Sequence, residues 1–307
     1  MWQPYRRKGK IMMNFDEFCK WGKDVITNNP PAGFEGAEAR VTTVEKIGRI
    51  YNSIGLYTDQ KSCSPVANLD ELYESYTSGC SLEWIYNRIC DIVYKEPPEF
   101  VRNIEWVTNY ELAKSALFVR LSNEQYNKDY LAKTPYKRVA EGLAMTAHIL
   151  ISSEYGSVAN APVNYSVLDL YGISEEQLFM DALENAEKVF QPVTKPLSAF
   201  VGFPYQDPEI KMMVVTNKQS INGASAIMYP SVRRQLSEDF EGDFFIIPSS
   251  IHEVITMPVD VSVINKLSGL IRQMNNSNMV EPGEVLSDNL FLYNAKADVI
   301  KEVSEYN

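Results

Sequence analysis

Pro192, Pro196, Gly202, Pro204 and Pro208 fall within one stretch of 17 residues. Proline has no amide proton and a fixed φ, so repeated prolines interrupt helices and central strands alike. A chain of 307 residues holds enough material for two ordinary domains, and the proline-rich stretch supplies the break between them. The expected organisation is an N-terminal α+β domain over 13–190, a linker at 191–208 and a C-terminal α+β domain over 209–307.

Local signals on either side of this break alternate between helix and strand. Phe15, Phe18, Cys19, Val25 and Ile26 form a helical stripe that stops at Asn28–Pro31, and residues 40–47 and 51–57 read as a hairpin about Gly48. Asn68 with Glu71 has capping-box spacing for a helix that ends at Gly79, and Ser81 precedes a second helical stripe from Leu82 to Val93. Residues 116–121 and 143–151 read as strands. Ser174 and Gln177 open a helix whose apolar face is Leu178, Phe179, Ala182, Leu183, Ala186, Val189 and Phe190. Beyond residue 209 the order is strand (212–215), helix (224–240), strand (243–247), strand (251–257), helix (261–275), strand (289–293). This β-α-β-β-α-β order matches the split βαβ, ferredoxin-like arrangement, with two helices on one face of an antiparallel sheet.

The balance of 29 basic against 40 acidic side chains gives a net charge of −11. Binding to a phosphate backbone needs a positive footprint that releases counterions, so direct binding to duplex DNA is not expected. No apolar run reaches the roughly 18 residues of a membrane span. Cys19, Cys63, Cys80 and Cys90 lie too far apart for a C-x-x-C motif and read as thiols in a reducing cytoplasm. Arg6, Arg7, Lys8 and Lys10 are not followed by the apolar region of a signal peptide. Arg-Arg-Lys-Gly-Lys is what a purine-rich ribosome-binding stretch yields when translated, so residues 1–12 are expected to be untranslated leader ahead of a start at Met13, or else a disordered basic tail. A start at Met13 moves the net charge to −15.

Chemistry has few places to reside. There are two histidines, His148 and His252, which excludes a histidine-rich metal site, and His148 falls in an apolar strand where a structural role is expected. Phosphate-binding glycine fingerprints are absent and no cofactor is expected. Residues 217–223 form a polar strand-to-helix turn in which Asn217, Asn222 and Gly223 are candidates for an anion site, against an ordinary turn with a glycine for tight packing. The segment Pro-Ser-Ser-Ile-His-Glu at 248–253 offers Ser249, Ser250, His252 and Glu253 as candidate catalytic residues. In a strand, however, Ser250 and His252 share one face while Glu253 points to the other, so Glu253 cannot orient the histidine. A structural role for His252 is the favoured reading.

Several segments together carry a resemblance. Ser64-Pro65 through Leu69–Tyr73, Tyr76 to Gly79, Phe118-Val-Arg-Leu121 with Asn123 and Asn127, Leu170–Ile173, Val215–Asn217 with Gly223-Ala224, Ile247–Val254 and Val285–Asp288 are similar to an uncharacterised bacterial family, a domain of unknown function of anaerobic Gram-positive bacteria. The similarity runs from about residue 14 to 295, and Pro-Ser-Ser-Ile-His-Glu is its most specific element. Proteins of this kind tend to carry a histidine after the proline of the central segment, where this chain has Tyr136 after Pro135. The resemblance implies no activity. Two function classes follow: a non-catalytic intracellular module that binds or regulates a protein with a basic surface, including an acidic inhibitor of a nucleic-acid-processing protein, and a hydrolase or transferase using residues 249–253.

Overall fold

A computed structural model describes residues 12–30, 34, 36–57, 65–94, 105–154, 157–201, 211–277 and 279–303. The expected leader up to residue 11, Cys63, Ser64 and linker residues 202–208 lie outside these. The chain mixes helices with antiparallel sheets and divides into two units, 1–104 and 105–307.

The first unit contains α1 (Phe15–Asn28), β1 (Glu38–Lys46), β2 (Arg49–Tyr57), β3 (Val66–Asn68), α2 (Leu69–Thr77) and α3 (Leu82–Val93). Each helix begins where a side chain can take up a free amide: Asn14 caps α1 in a reciprocal box with Glu17, Asn68 caps α2, and Ser81 caps α3. The β1–β2 register runs from Glu38↔Tyr57 to Lys46↔Arg49 and turns at Gly48, whose φ of +75° suits a residue without a Cβ. The three helices bury Phe18, Ile26, Leu69, Leu72, Ile85, Ile89 and Val93 together with Ile54 and Leu56 of β2. Tyr73 and Tyr76 pack against Phe18 and tie their hydroxyls to the Met13 backbone, at 3.1 Å to its carbonyl and 3.2 Å from its amide.

The second unit holds two sheets. In the first, β6 (Leu143–Glu154) is central, flanked on one side by β4 (Leu117–Asn123) and on the other by β5 (Tyr136–Ala140) and then β7 (Ser157–Pro162). Two helices follow, α4 (Tyr165–Tyr171) and α5 (Glu175–Val189), and α5 packs against β4. The second sheet is built from β8 (Pro192–Pro196), β9 (Met213–Asn217), β10 (Phe244–Pro248), β11 (Val254–Pro258), β12 (Phe291–Asn294) and β13 (Val299–Glu302), in the order β13-β12-β10-β11-β9-β8. Between these strands lie a 3-10 turn (Gly223–Met228), α6 (Pro230–Asp239) and α7 (Ile264–Asn276).

Three expectations are corrected by this arrangement. Residues 192–196 form an edge strand paired with β9, so the anticipated linker begins inside a sheet and the division of the chain falls elsewhere. Prolines are tolerated at the ends of an edge strand, where Pro192 and Pro196 sit. The long helix anticipated from 224 to 240 is broken at Pro230, which occupies the first turn of α6 and ends the 3-10 segment before it. Finally, the β-α-β-β-α-β order is present, but its helices cover opposite faces of the sheet. Val232 and Leu236 of α6 join the core of Phe244 and Ile246, whereas Ile264, Leu267 and Ile271 of α7 join that of Phe245 and Ile247. The ferredoxin-like placement of both helices on one face does not occur.

Two buried charged groups are fully paired. Asp181 of α5 is 4% exposed and accepts from the Tyr110 hydroxyl, from Gln177 Nε2 at 2.9 Å and from Lys114 Nζ at 3.3 Å. Burial raises its pKa, but these donors outweigh burial and hold it below the usual carboxylate range. Arg233 of α6 donates to Asp298 through Nε at 2.9 Å and to the carbonyls of Ile227 and Met228, while Tyr293 donates to the same carboxylate at 2.8 Å. The guanidinium is the main cause of the lowered pKa of Asp298.

A folded-state pKa below the unfolded value contributes stability that is complete above the unfolded value, about 3.9, and is lost as pH falls through the folded one. Asp298→Asn is expected to lower stability by about 1 kcal/mol at neutral pH, a modest effect because the Asp298 carboxylate is largely exposed. Its difference from wild type in urea titrations should narrow below about pH 4. A fragment of residues 105–303 is expected to melt cooperatively, because both of its cores are internal to it. One starting at residue 209 lacks β4, α5 and β8 and is expected to show no cooperative melt by circular dichroism.

Candidate functional site

The segment 248–253 is a loop between β10 and β11: the last hairpin pair is Pro248↔Val254, and residues 249–253 are irregular. The strand expected from residue 251 therefore starts three residues later. Ser250 makes the bend, since its hydroxyl accepts the His252 amide at 2.9 Å and donates to Glu253 Oε1 at 2.9 Å, while its own amide donates to the Glu253 carbonyl at 3.2 Å. This is the local side-chain-to-backbone bonding by which serine stabilises turns. Ser249 makes no hydrogen bond to the other three candidate residues.

His252 leaves this loop in a different direction. Its Nδ1 accepts the Asn222 backbone amide at 3.1 Å, and Nε2 lies 3.1 Å from Glu284 Oε1. An amide can donate to Nδ1 only when that nitrogen carries no proton, so the ring proton is assigned to Nε2 and is donated to Glu284. The partner of the histidine is thus Glu284, 32 residues away, and not Glu253. Three backbone contacts hold the loop in place: Thr216 Oγ1 donates to the His252 carbonyl at 2.8 Å, the Ala224 amide to Ile251 O at 3.2 Å and the Ile251 amide to Glu284 O at 2.9 Å.

The turn at 217–223 meets the loop at Gly223. A Cβ on this glycine would lie 2.6 Å from the His252 carbonyl oxygen and 2.7 Å from the Asn217 amide, and closer still to the Thr216 hydroxyl. Glycine is required there for close approach of two backbones. Five amides of the turn are engaged within the protein: Gln219 and Ile221 donate to Asn217 Oδ1, Ser220 to Asn217 O, Asn222 to His252 and Ala224 to Ile251. Asn222 itself adopts a left-handed conformation, φ 54° and ψ 27°, which asparagine tolerates better than most residues. Beside the turn, Lys195, Thr216, Lys218 and Ser220 line a cavity of about 300 Å³ along β8 and β9.

His148, in β6, is buried and shares in a separate network. Nε2 is 3.0 Å from the Thr146 hydroxyl and Nδ1 is 3.0 Å from Asn160 Oδ1. Burial pushes its pKa well below the usual value, and the charge of Arg120 adds to this. The neutral ring then donates from Nδ1 and accepts at Nε2. Among the described residues no group of three or more His, Cys, Asp or Glu is placed to hold a metal ion, and no helix is long and apolar enough to cross a membrane.

Gly223→Ala is expected to cost about 3 kcal/mol, because the methyl group meets backbone atoms that cannot step aside. His252→Ala is expected to cost about 1–3 kcal/mol through the loss of hydrogen bonds to Asn222 and Glu284. Both are read from urea denaturation midpoints at unchanged m-value.

No curated protein and no solved structure matches this chain. Its sequence does match the model described as "Family of unknown function (DUF5688)", over residues 15–295. That span contains the whole of the Ser250–His252–Glu284 clasp and the Gly223 turn beneath it, and the chain belongs to this family of unknown function.

Proposed function

We propose that the protein is a non-catalytic binding or regulatory module that acts in the cytoplasm on another protein. The observation that supports this reading is the engagement of His252 at both ring nitrogens, one by a backbone amide and one by Glu284. A general base needs a free nitrogen within about 2.6–3.2 Å of the nucleophile's proton. Here the Ser250 proton goes to Glu253, and the loop is held from β9, the Gly223 turn and the Glu284 backbone. Binding in this reading follows from charge: at −11 the chain favours a partner with a basic surface and disfavours bare duplex DNA. Its special form is an inhibitor whose carboxylates replace phosphates in the groove of a nucleic-acid-processing protein.

Treatment of the purified protein with a fluorophosphonate, followed by peptide mass spectrometry, separates this from a hydrolase or transferase using Ser249, Ser250, His252 and Glu253. No adduct on Ser249 or Ser250 is expected. An adduct on Ser250 that disappears in His252→Ala would replace the binding reading with the catalytic one. A partner recovered by in-cell cross-linking is expected to lose affinity as salt rises.

A further inference from the structure

The sheet of β4, β5, β6 and β7 carries a polar row in its interior. The register places Arg120 opposite Thr146, Ser122 opposite Ala144 and Phe118 opposite His148, so that Arg120, Ser122, Thr146 and His148 project from the same face. Arg120 is half-buried with its Nε sealed from solvent, and Ser122 is 0% exposed. Neither the Arg120 Nε nor the Ser122 hydroxyl has a hydrogen-bond partner. Two orphaned donors two residues apart on one strand face are unusual, because buried polar groups are nearly always satisfied by protein, water or ligand.

Among the described residues no carboxylate pairs with Arg120; its electrostatic neighbour is the phenol of Tyr130. His148 is neutral and already bonded at both nitrogens. Arg138, which flanks Ala144 from β5, is committed to Glu124 and Glu141. Burial lowers the Arg120 pKa to about 10, so the group stays charged at neutral pH. Arg233, the other arginine drawn into this unit's interior, shows what the fold does when it completes such a site itself: a carboxylate and two carbonyls receive the guanidinium. Arg120 has the cation without the acceptor.

We propose that Arg120 and Ser122 form a binding site for a small free carboxylate. A guanidinium presents parallel donors that match the two oxygens of a carboxylate, and a serine hydroxyl adds a third. One unpaired positive charge balances one carboxylate, whereas a phosphate dianion leaves a negative charge uncompensated among neutral neighbours. Ala144 opposite Ser122 contributes only a methyl group, so β6 puts no large side chain over the hydroxyl. The sealed Nε and Ser122 favour a small molecule over a side chain of a docked protein. This inference is independent of the fate of residues 249–253.

Thermal unfolding at pH 7 in sodium acetate, sodium phosphate and sodium chloride of equal ionic strength tests it. The wild-type midpoint should rise with acetate and saturate, as for a ligand bound only by the native state, and phosphate should match chloride. Arg120→Met should be insensitive to acetate and melt no lower than wild type in chloride, because it removes an unpaired, partly buried charge. Arg120→Lys keeps the charge without the fork and should need at least about five-fold more acetate for half the effect. Identical wild-type midpoints in acetate and chloride would mean that water alone fills the site and would overturn the proposal. So would an undiminished acetate response in Arg120→Met, or a response to phosphate and none to acetate. Where Arg120→Met does not fold, Arg120→Lys with saturation-transfer NMR of acetate decides the same question: an unchanged half-effect concentration and transfer signal would overturn the site.

Discussion

Strand β10 imposes the architecture of the second unit. All five of its residues, Phe244 to Pro248, are buried, and because alternate side chains point to opposite faces, Phe244 and Ile246 enter one core while Phe245 and Ile247 enter another. A strand with no solvent face must be covered twice. The covering elements are α6, which precedes it, and α7, which comes after its hairpin partner β11. The two cannot share a face without leaving half of the strand's apolar surface in water, at about 25 cal/mol for each square ångström. Order along the chain, placement of helices and position of the 249–253 loop at the strand's end follow from this one double burial.

Elements with local signals were legible in the amino-acid sequence. Asn68, Ser81 and Ser174 each mark a helix start that the structure contains, and Gly48 marks the hairpin turn. Strands β5, β7, β8 and β13 were not legible, since they are short, lie at the sides of their sheets and carry polar or proline residues that imitate loops. The same limit applies to the site. Asn217, Gly223 and His252 stood out as residue types, and the structure brings them together, but Glu284 carried no signal because its role depends on a contact 32 residues distant. Asp181 was hidden in the opposite way: it sits on the buried side of an amphipathic helix, where only the later-formed contacts with Tyr110 and Lys114 make a carboxylate acceptable.

Polar groups in this unit fall into two kinds. His148, Asp181, Arg233 and His252 all have partners supplied by the chain, and their chemistry is consumed in holding strands, turns and helices together. Arg120 and Ser122 have none. In a protein whose most conspicuous motif is occupied with its own loop, the unsatisfied groups say more about an external ligand than the recognisable residues do.

The Arg233–Asp298 pair joins residues 65 positions apart, and β13, which follows Asp298, forms the last edge of the six-stranded sheet. During synthesis, Arg233 therefore emerges long before its acceptor exists. At about 5–20 residues per second the ribosome needs several seconds to deliver the missing carboxylate. Until then the 3-10 turn and α6 hold a cation with no counter-charge, and the β12 edge stays open. Among the described residues, the last strand of the first unit ends at residue 68 and its last helix at residue 93, so this part of the unit can settle early. The second gains its β12–β13 hairpin last among the described elements, and the nascent chain passes through an interval in which an exposed edge strand must be kept from pairing with its neighbours on the same message.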